Sequence, residues 1–286
     1  MKNNKYSHTA EGAAAMRAAG CYEKKAYPNP DNLSEKLISK KYQVVVKNPL
    51  LRKLVLAIYN YRLPGMYEAH LCRTHHFDYI INKELNEGAT QLLILGAGLD
   101  TRPYRFKQFS YRVHFFEVDH PATSKFKQKR LAEANIDFKH VTFVPVNFTS
   151  ESAEDKLIFK GFDKLKRTIV LWEGVIMYLS SSIVSKVLKF IASLEIQSSI
   201  LFDYVYPSFY ETPHIYKNAQ KHLRYVNKAG EPYTFGLNYD QIENYVNQYD
   251  LKLLSNIDAK TMNQQYLSGY NMSVTPWYAL AHCSNC

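Results

Sequence analysis

Cysteine is scarce in this chain, with four among 286 residues, at positions 21, 72, 283 and 286. So few and so scattered, they cannot build the disulfide framework of a small secreted domain, and reduced thiols are expected. Cys283 and Cys286 form a C-x-x-C, but a structural zinc site needs four ligands. No second pair stands at similar spacing, so no metal is expected. Glycine and proline, 11 of each, are too few for a low-complexity or collagen-like chain. Long hydrophobic runs are missing as well. The longest, around residues 54–59 and 169–179, are too short for the roughly 18–20 residues that a bilayer requires, or are interrupted by Glu173. The opening MKNNKYSHTAEG has no apolar core of a signal peptide. These absences predict a soluble, cytoplasmic protein without a membrane partner. Its length is enough to bury about three quarters of the unfolded surface in a core of its own.

Basic residues outnumber acidic ones, 36 to 26, for a formal net charge of +10. That excess admits nucleic acid, an anionic membrane or an acidic small molecule. The charge is dispersed, however. Its densest piece, KFKQKR at 125–130, is followed by Leu131 and Ala134 at helical spacing, which predicts the solvated face of a helix in place of a nucleic-acid footprint.

Periodicity divides the chain in two. Residues 1–90 read as a helical preface, with helices over 9–19, 33–46, 50–61 and 72–85, the third closed by Pro64-Gly65 and the last by Gly88. From residue 91 short apolar runs alternate with helical stretches. Strands are predicted over 91–95, 114–118, 142–146, 168–172 and 199–205, with two more over 251–257 and 277–282. This alternation implies an α/β fold with a mostly parallel seven-stranded sheet and helical crossovers. The clearest crossover is 180–194, where Ile183, Val187 and Ile191 recur behind capping serines; a further helix is predicted over 240–249. Pro207, Pro213, Gly230 and Pro232 break the rhythm at 207–236, which is expected to form a lid insertion after the fifth strand. No repeat or linker interrupts the chain, so 1–286 reads as a single domain.

The first predicted strand runs into Gly96-Ala97-Gly98, and Glu117 and Asp119 follow about twenty residues later at the end of the second. In an open α/β sheet such a glycine turn lets backbone approach a ligand, and a later acid reaches ribose hydroxyls. Asp119, at the strand end, is the expected ribose acceptor, with Glu117 expected on the other side of the strand or, alternatively, as the partner of a helix. A dinucleotide would want a third glycine where Thr101 stands, and Asp100 would repel its pyrophosphate. Asp100 suits a ligand carrying ammonium and sulfonium charges, as S-adenosylmethionine does. Without a ligand the same residues would make an ordinary glycine turn.

The run QLLILGAGLDTR at 91–102 resembles the leucine carboxyl methyltransferase family and its bacterial relatives, which are S-adenosylmethionine-dependent O-methyltransferases. Further stretches agree in order: Arg73-Thr74 with Phe77-Asp78, Phe116-Glu117-Val118-Asp119 with Pro121, and Glu173 to Leu179. Gly230-Glu231-Pro232 with Phe235-Gly236 follows, and Thr9-Ala10 and Arg17-Ala18 resemble the family's opening. The resemblance implies a class I methyltransferase Rossmann-like sheet and S-adenosylmethionine as cofactor. It gives Arg73 the methionine carboxylate, for which a guanidinium fork is suited. It places Gly96 and Gly98 against the cofactor, and Asn147, where relatives usually carry Asp, with Phe148 at the adenine. A carboxylate inside the apolar run LWEGVIMYL is costly unless used, so Glu173 is assigned to the cofactor's ammonium.

Tyr178, Tyr204 and Tyr206, just beyond the fourth and fifth strands, are expected to line the acceptor pocket. The aromatic and basic content of 207–236 points to a small-molecule carboxylate or phenol as acceptor. The family also holds enzymes that methylate a protein's C-terminal carboxylate, and that alternative stays open. A nucleic-acid methyltransferase is disfavoured: a base-amine enzyme needs an Asn/Asp-Pro-Pro-aromatic turn after the fourth strand, where this chain has WEGV.

Overall fold

A computed structural model describes residues 6–23, 29–147 and 151–285. The change of period at residue 90 marks the boundary between a helical cap and a sheet. The cap holds α1 (His8–Gly20), α2 (Ser34–Leu37), α3 (Lys40–Lys47), α4 (Pro49–Arg62) and α5 (Met66–Asn86). Beyond it β1 (Gln91–Leu95), α6 (Arg102–Arg105), β2 (His114–Asp119), α7 (Pro121–Glu133), β3 (Val141–Pro145) and α8 (Ala153–Phe159) follow in turn. Next come β4 (Thr168–Trp172), α9 (Ser181–Ala192), β5 (Ser199–Val205), and the insertion helices α10 (Ser208–Glu211) and α11 (Ala219–Ala229). The chain then runs through α12 (Ile242–Asn247), β6 (Leu251–Asp258), α13 (Ala259–Tyr266) and β7 (Tyr278–Asn285).

The seven strands form one sheet in the order β3-β2-β1-β4-β5-β7-β6. Neighbours among β1 to β5 pair in parallel, and β7 lies antiparallel between β5 and β6. Strands β1, β4 and β5 are buried along their whole length, as expected of a sheet covered on both faces. Their alternate residues feed two core clusters. Leu92, Ile94, Ile169, Leu171 and Leu201 join the side covered by α1 and α5, while Leu93, Val170, Ile200 and Phe202 join the side covered by α8, α9 and α12. No helix among the described residues is long and apolar enough to cross a membrane.

Three details differ from the sequence reading. Residues 33–46 are two helices, because the chain is extended at Ile38. The Arg130 guanidinium donates there to the carbonyls of Leu37 (3.3 Å), Lys36 (3.1 Å) and Ile38 (2.7 Å), so a distant side chain takes the carbonyls that a continued helix would have used. The segment 125–130 is therefore only partly a solvated face: Arg130 and Lys127 are buried. Helix α9 buries Ile191 as predicted and half-buries Val187, but it turns Val184 and Leu188 fully inward and leaves Ile183 exposed. Cys283 is buried in β7, and Cys286 lies outside the described residues.

Candidate cofactor and acceptor site

The glycine turn after β1 is held from three sides. Gly96 and Ala97 donate their N–H groups to the Val118 carbonyl at the end of β2, at 2.8 and 3.0 Å. Gly96 has φ +68° and Gly98 φ +44°, backbone that side chains rarely adopt. A Cβ on Gly96 would stand 2.6 Å from Val175 Cγ2, and one on Gly98 would stand 3.0 Å from the Ala10 Cβ of α1. The turn is thus wedged between the cap and the loop that follows β4.

Asp119 faces this turn. One carboxylate oxygen accepts from the Gly98 N–H and the other from the His120 N–H, while burial pushes its carboxyl upward. Each oxygen keeps a second acceptor position. Glu117 is two residues away and so lies on the same side of the strand as Asp119, which corrects the expectation that it would face the other side. Phe115 belongs to that side's core, and Phe116 and Val118 to the opposite one. Glu117 is buried, accepts from Tyr104 Oη at 3.0 Å and pairs with Lys127 Nζ at 2.7 Å. Val146 N donates to the Asp119 carbonyl at 2.9 Å, bringing Asn147 beside the end of β2. Asn147 N in turn donates to Glu151 at 2.7 Å. Phe148 lies outside the described residues.

Arg73, on α5, reaches across to the carboxyl ends of β4 and β5. Its guanidinium meets Asp203 at 2.7 Å, Glu173 at 2.9 Å, the Tyr278 hydroxyl at 3.0 Å and His70 Nδ1 at 3.1 Å. Asp203 Oδ1 also accepts from the Gly174 N–H at 2.6 Å, tying β5 to the loop that carries Glu173. The other Glu173 oxygen meets Arg102 at 2.9 Å, and Arg102 continues to Asp100 and to Asp78, the latter at 2.7 Å. Asp78 pairs with Arg105, which lies 3.6 Å from Asp31, and Asp31 pairs with Arg17 at 2.8 Å.

Four arginines and five carboxylates thus form one buried network with a formal net charge of one negative. Burial opposes charge on Glu173, but the Arg102 and Arg73 guanidiniums outweigh it and hold the carboxyl at about 2. Arg102 likewise overcomes burial at Asp100 and keeps it below the usual carboxylate range. His70 is held well below the ordinary histidine value by burial and by Arg73. Within this network two guanidinium donors, Arg73 Nε and Arg102 Nη2, have no hydrogen-bond partner among the described residues.

The insertion closes over this network. Thr234 N and Phe235 N donate to the Met177 carbonyl at 2.8 and 3.2 Å, and Leu237 N donates to the Val205 carbonyl at 3.0 Å. This return brings the Tyr233 ring 5.3 Å from that of Tyr178. Within the insertion, Phe209 of α10 stacks on Trp277 at 4.5 Å.

Of the three tyrosines assigned to an acceptor pocket, Tyr178 is therefore under the lid. Tyr204 is not with it: adjacent to Asp203 on a strand, it points to the opposite face and donates to Asn256 Oδ1 at 2.9 Å. Tyr206 sits between Tyr204 and Tyr239, with ring centroids 6.2 and 6.3 Å away. Sequence reasoning gave no role to Asp203, Arg102, His70, Tyr233 or Tyr278. Asp203 carried a usable signal, a carboxylate inside the apolar strand SILFDYV, and Arg102 stood in the quoted motif. His70 and Tyr278 had none, because only the folded chain brings them to Arg73.

A sequence profile of leucine carboxyl methyltransferases matches residues 10–192. A Bacillus subtilis protein with the provisional name of S-adenosyl-L-methionine-dependent methyltransferase is 30% identical over 203 residues, 69% of this chain and 66% of its own. A Mycobacteroides abscessus protein of the same provisional name is 30% identical over 45% of this chain and 43% of its own. The matches thus span between about two-fifths and two-thirds of the length of these relatives. The crystal structure of a Thermobifida fusca protein, provisionally named a methyltransferase, superposes with a TM-score of 0.56 over 99% of this chain and 96% of its own, at 12% identity. That likeness bears out the expected class I methyltransferase Rossmann-like fold. By sequence, the chain belongs to the leucine carboxyl methyltransferase family.

Proposed function

We propose that the protein is an S-adenosylmethionine-dependent O-methyltransferase that methylates a carboxylate or hydroxyl of a small molecule in the cytoplasm. The observation that carries this reading is the buried network beside the glycine turn. It is negative by one formal charge, yet it keeps two unpartnered guanidinium donors. S-adenosylmethionine carries a sulfonium, an ammonium and a carboxylate, a net of one positive charge, so it would neutralise the network while its carboxylate supplies an acceptor for those donors. A dinucleotide would bring its pyrophosphate to Asp100 instead.

In this reading Arg73 and Arg102 hold the carboxylate, Glu173 and Asp100 face the cationic end, and the free acceptor positions of Asp119 take ribose hydroxyls. Asn147 and Phe148 remain assigned to the adenine. When bound, the cofactor supplies an electrophilic methyl group. The protein's part is to line up the acceptor oxygen and to exclude water, a task that falls to Tyr178, Tyr233 and the returning insertion. A hydroxyl acceptor needs a base of suitable strength. His70 uses its Nδ1 lone pair on Arg73, and burial drops His222 to about 4, so neither is a strong base. That favours a carboxylate, which needs none.

Calorimetry with S-adenosylhomocysteine and with NAD tests the cofactor: heat from the first and none from the second is expected, and the reverse pattern overturns the assignment. Methyl-labelled cofactor incubated with a cell extract tests the acceptor. Label is expected in the small-molecule fraction and should be released as methanol by mild alkali. Label in protein would instead favour a C-terminal carboxylate, and alkali-stable label would favour a hydroxyl.

A further inference from the structure

The cap carries a surface that the proposed transfer does not use. Helix α4 is apolar almost all round. Its inward side, including Val55, Leu56 and Tyr59, packs against the larger core cluster. Its outward side repeats Leu50, Leu54, Ile58 and Tyr61 at spacings of four, four and three, a single stripe on a helix. These side chains are 77%, 57%, 43% and 69% exposed. A helix apolar on both sides is ordinarily covered on both.

The charge around the stripe indicates what covers it. Between Glu35 and Glu68 the sequence has no acidic residue and seven basic ones. Lys47 is paired with Glu35 at 2.9 Å, but Lys53 and Arg62 are exposed on α4 itself, and Lys40 and Lys41 are exposed on α3, which packs against it. Helix α11 of the insertion packs against α4 and adds exposed Lys221, Arg224 and Lys228, with no acid between Glu211 and Glu231. Lys221 Nζ lies 4.4 Å from the Tyr61 ring centroid, so cations begin where the stripe ends. A second copy seated on this face about a twofold axis would set these cations against their own kind. A surface with fixed negative charge and an apolar interior matches both features.

We propose that α4 and α11 dock the protein on anionic lipid, with the α4 stripe entering the headgroup and acyl boundary and the flanking lysines and arginines meeting lipid phosphates. The expectation of no membrane partner weighed only segments long enough to span one. Docking of this kind is peripheral, and it does not depend on the methyltransferase reading.

The test is cosedimentation of the full chain with vesicles of phosphatidylcholine, alone or mixed with phosphatidylserine. Binding is expected only to the mixed vesicles and should weaken as salt rises. It should fall at least tenfold for Leu54→Glu and, separately, for the double variant Lys53→Glu with Arg62→Glu. All three positions are exposed, and circular dichroism would verify that each variant is folded. Absence of serine-dependent binding, or its survival in both variants, overturns the proposal. So does a dimer of the parent chain that Leu54→Glu dissociates, which would assign the face to a second copy. Equal binding to polyglutamate that ignores Leu54→Glu would assign it to an acidic polypeptide.

Discussion

Arg73 and Asp203 stand 130 residues apart in sequence and meet at 2.7 Å, with both side chains almost wholly buried. Removing Arg73 strands the Asp203 carboxylate away from water, and removing Asp203 takes from Arg73 one of the two carboxylates paired with it. Asp203→Ala is expected to cost about 3–5 kcal/mol of stability, and hence on the order of 10 °C in thermal midpoint. Asp203→Asn, which keeps the shape and can still accept from Arg73, should cost less. A thermal scan in which Asp203→Ala melts alongside the parent would remove the pair from the list of structural contacts.

Arg73→Lys keeps the positive charge and loses the guanidinium fork. With Asp203 and Glu173 both using that fork, the variant should bind S-adenosylhomocysteine more weakly by about 2 kcal/mol, roughly thirtyfold. Calorimetry on the folded variant measures it, and unchanged affinity would take Arg73 out of the cofactor site.

Asp119→Ala acts at the other end of the same ligand. It should weaken S-adenosylhomocysteine binding, yet make no difference to an analogue that lacks the ribose hydroxyls. An equal loss for both ligands would mean that Asp119 works by bracing the Gly98 turn, to which it is bonded in this structure.

Two buried glutamates should pull stability in opposite directions with pH. Burial lifts Glu117 to about 7 from the usual 4.5, against the attraction of Lys127. The folded chain keeps this proton longer than the unfolded one, so the contribution is fully present below about pH 4.5 and is lost as pH rises through 7, a change of about 3 kcal/mol. Glu173 is held at about 2, so its contribution is present above 4.5 and is lost as pH falls towards 2. Burial also holds His70, His76 and His222 below the ordinary histidine value, so their contribution grows as pH rises and opposes that of Glu117. Urea unfolding compared at about pH 5 and about pH 8 should therefore show Glu117→Gln gaining more stability with rising pH than the parent, while Glu173→Gln changes as the parent does. An equal change in Glu117→Gln and the parent would take Glu117 out of the groups that titrate there.

Gly96→Ala adds a methyl 2.6 Å from Val175 Cγ2 at a φ of +68°. The expected cost is about 2 kcal/mol or more, part of it backbone strain and part overlap. Adding Val175→Ala should return the overlap part and leave the strain. If the double variant is no more stable than Gly96→Ala alone, the contact with Val175 is not what fixes the residue.

Legibility followed the range of the forces involved. Every strand was predicted to within about three residues at either end, because burial on both faces writes itself into a short apolar run. The break between α2 and α3 was hidden, since its cause is the Arg130 guanidinium some ninety residues away. Lys127 was hidden for the same reason: a lysine in a basic run shows nothing of Glu117 until α7 lies on β2. The glycine turn, Asp119 and Glu173 were legible because each stood at a fixed offset from a strand end. Tyr204 misled by that same logic, because proximity to a strand end does not say which face a side chain takes. The alternation with Asp203 decides it.

The position of β7 constrains the order in which the chain can assemble. It follows β6 in sequence but sits between β5 and β6, and its first residue, Tyr278, donates to Asp203 at 2.7 Å. While residues 278–285 are still in the ribosome, β5 has an open edge, β6 has no neighbour in the sheet, and the carboxylate facing Arg73 lacks one of its donors. The sheet therefore cannot close strand after strand as the chain emerges: β6 has a place in it only through β7, so its attachment to the β5 edge waits for β7.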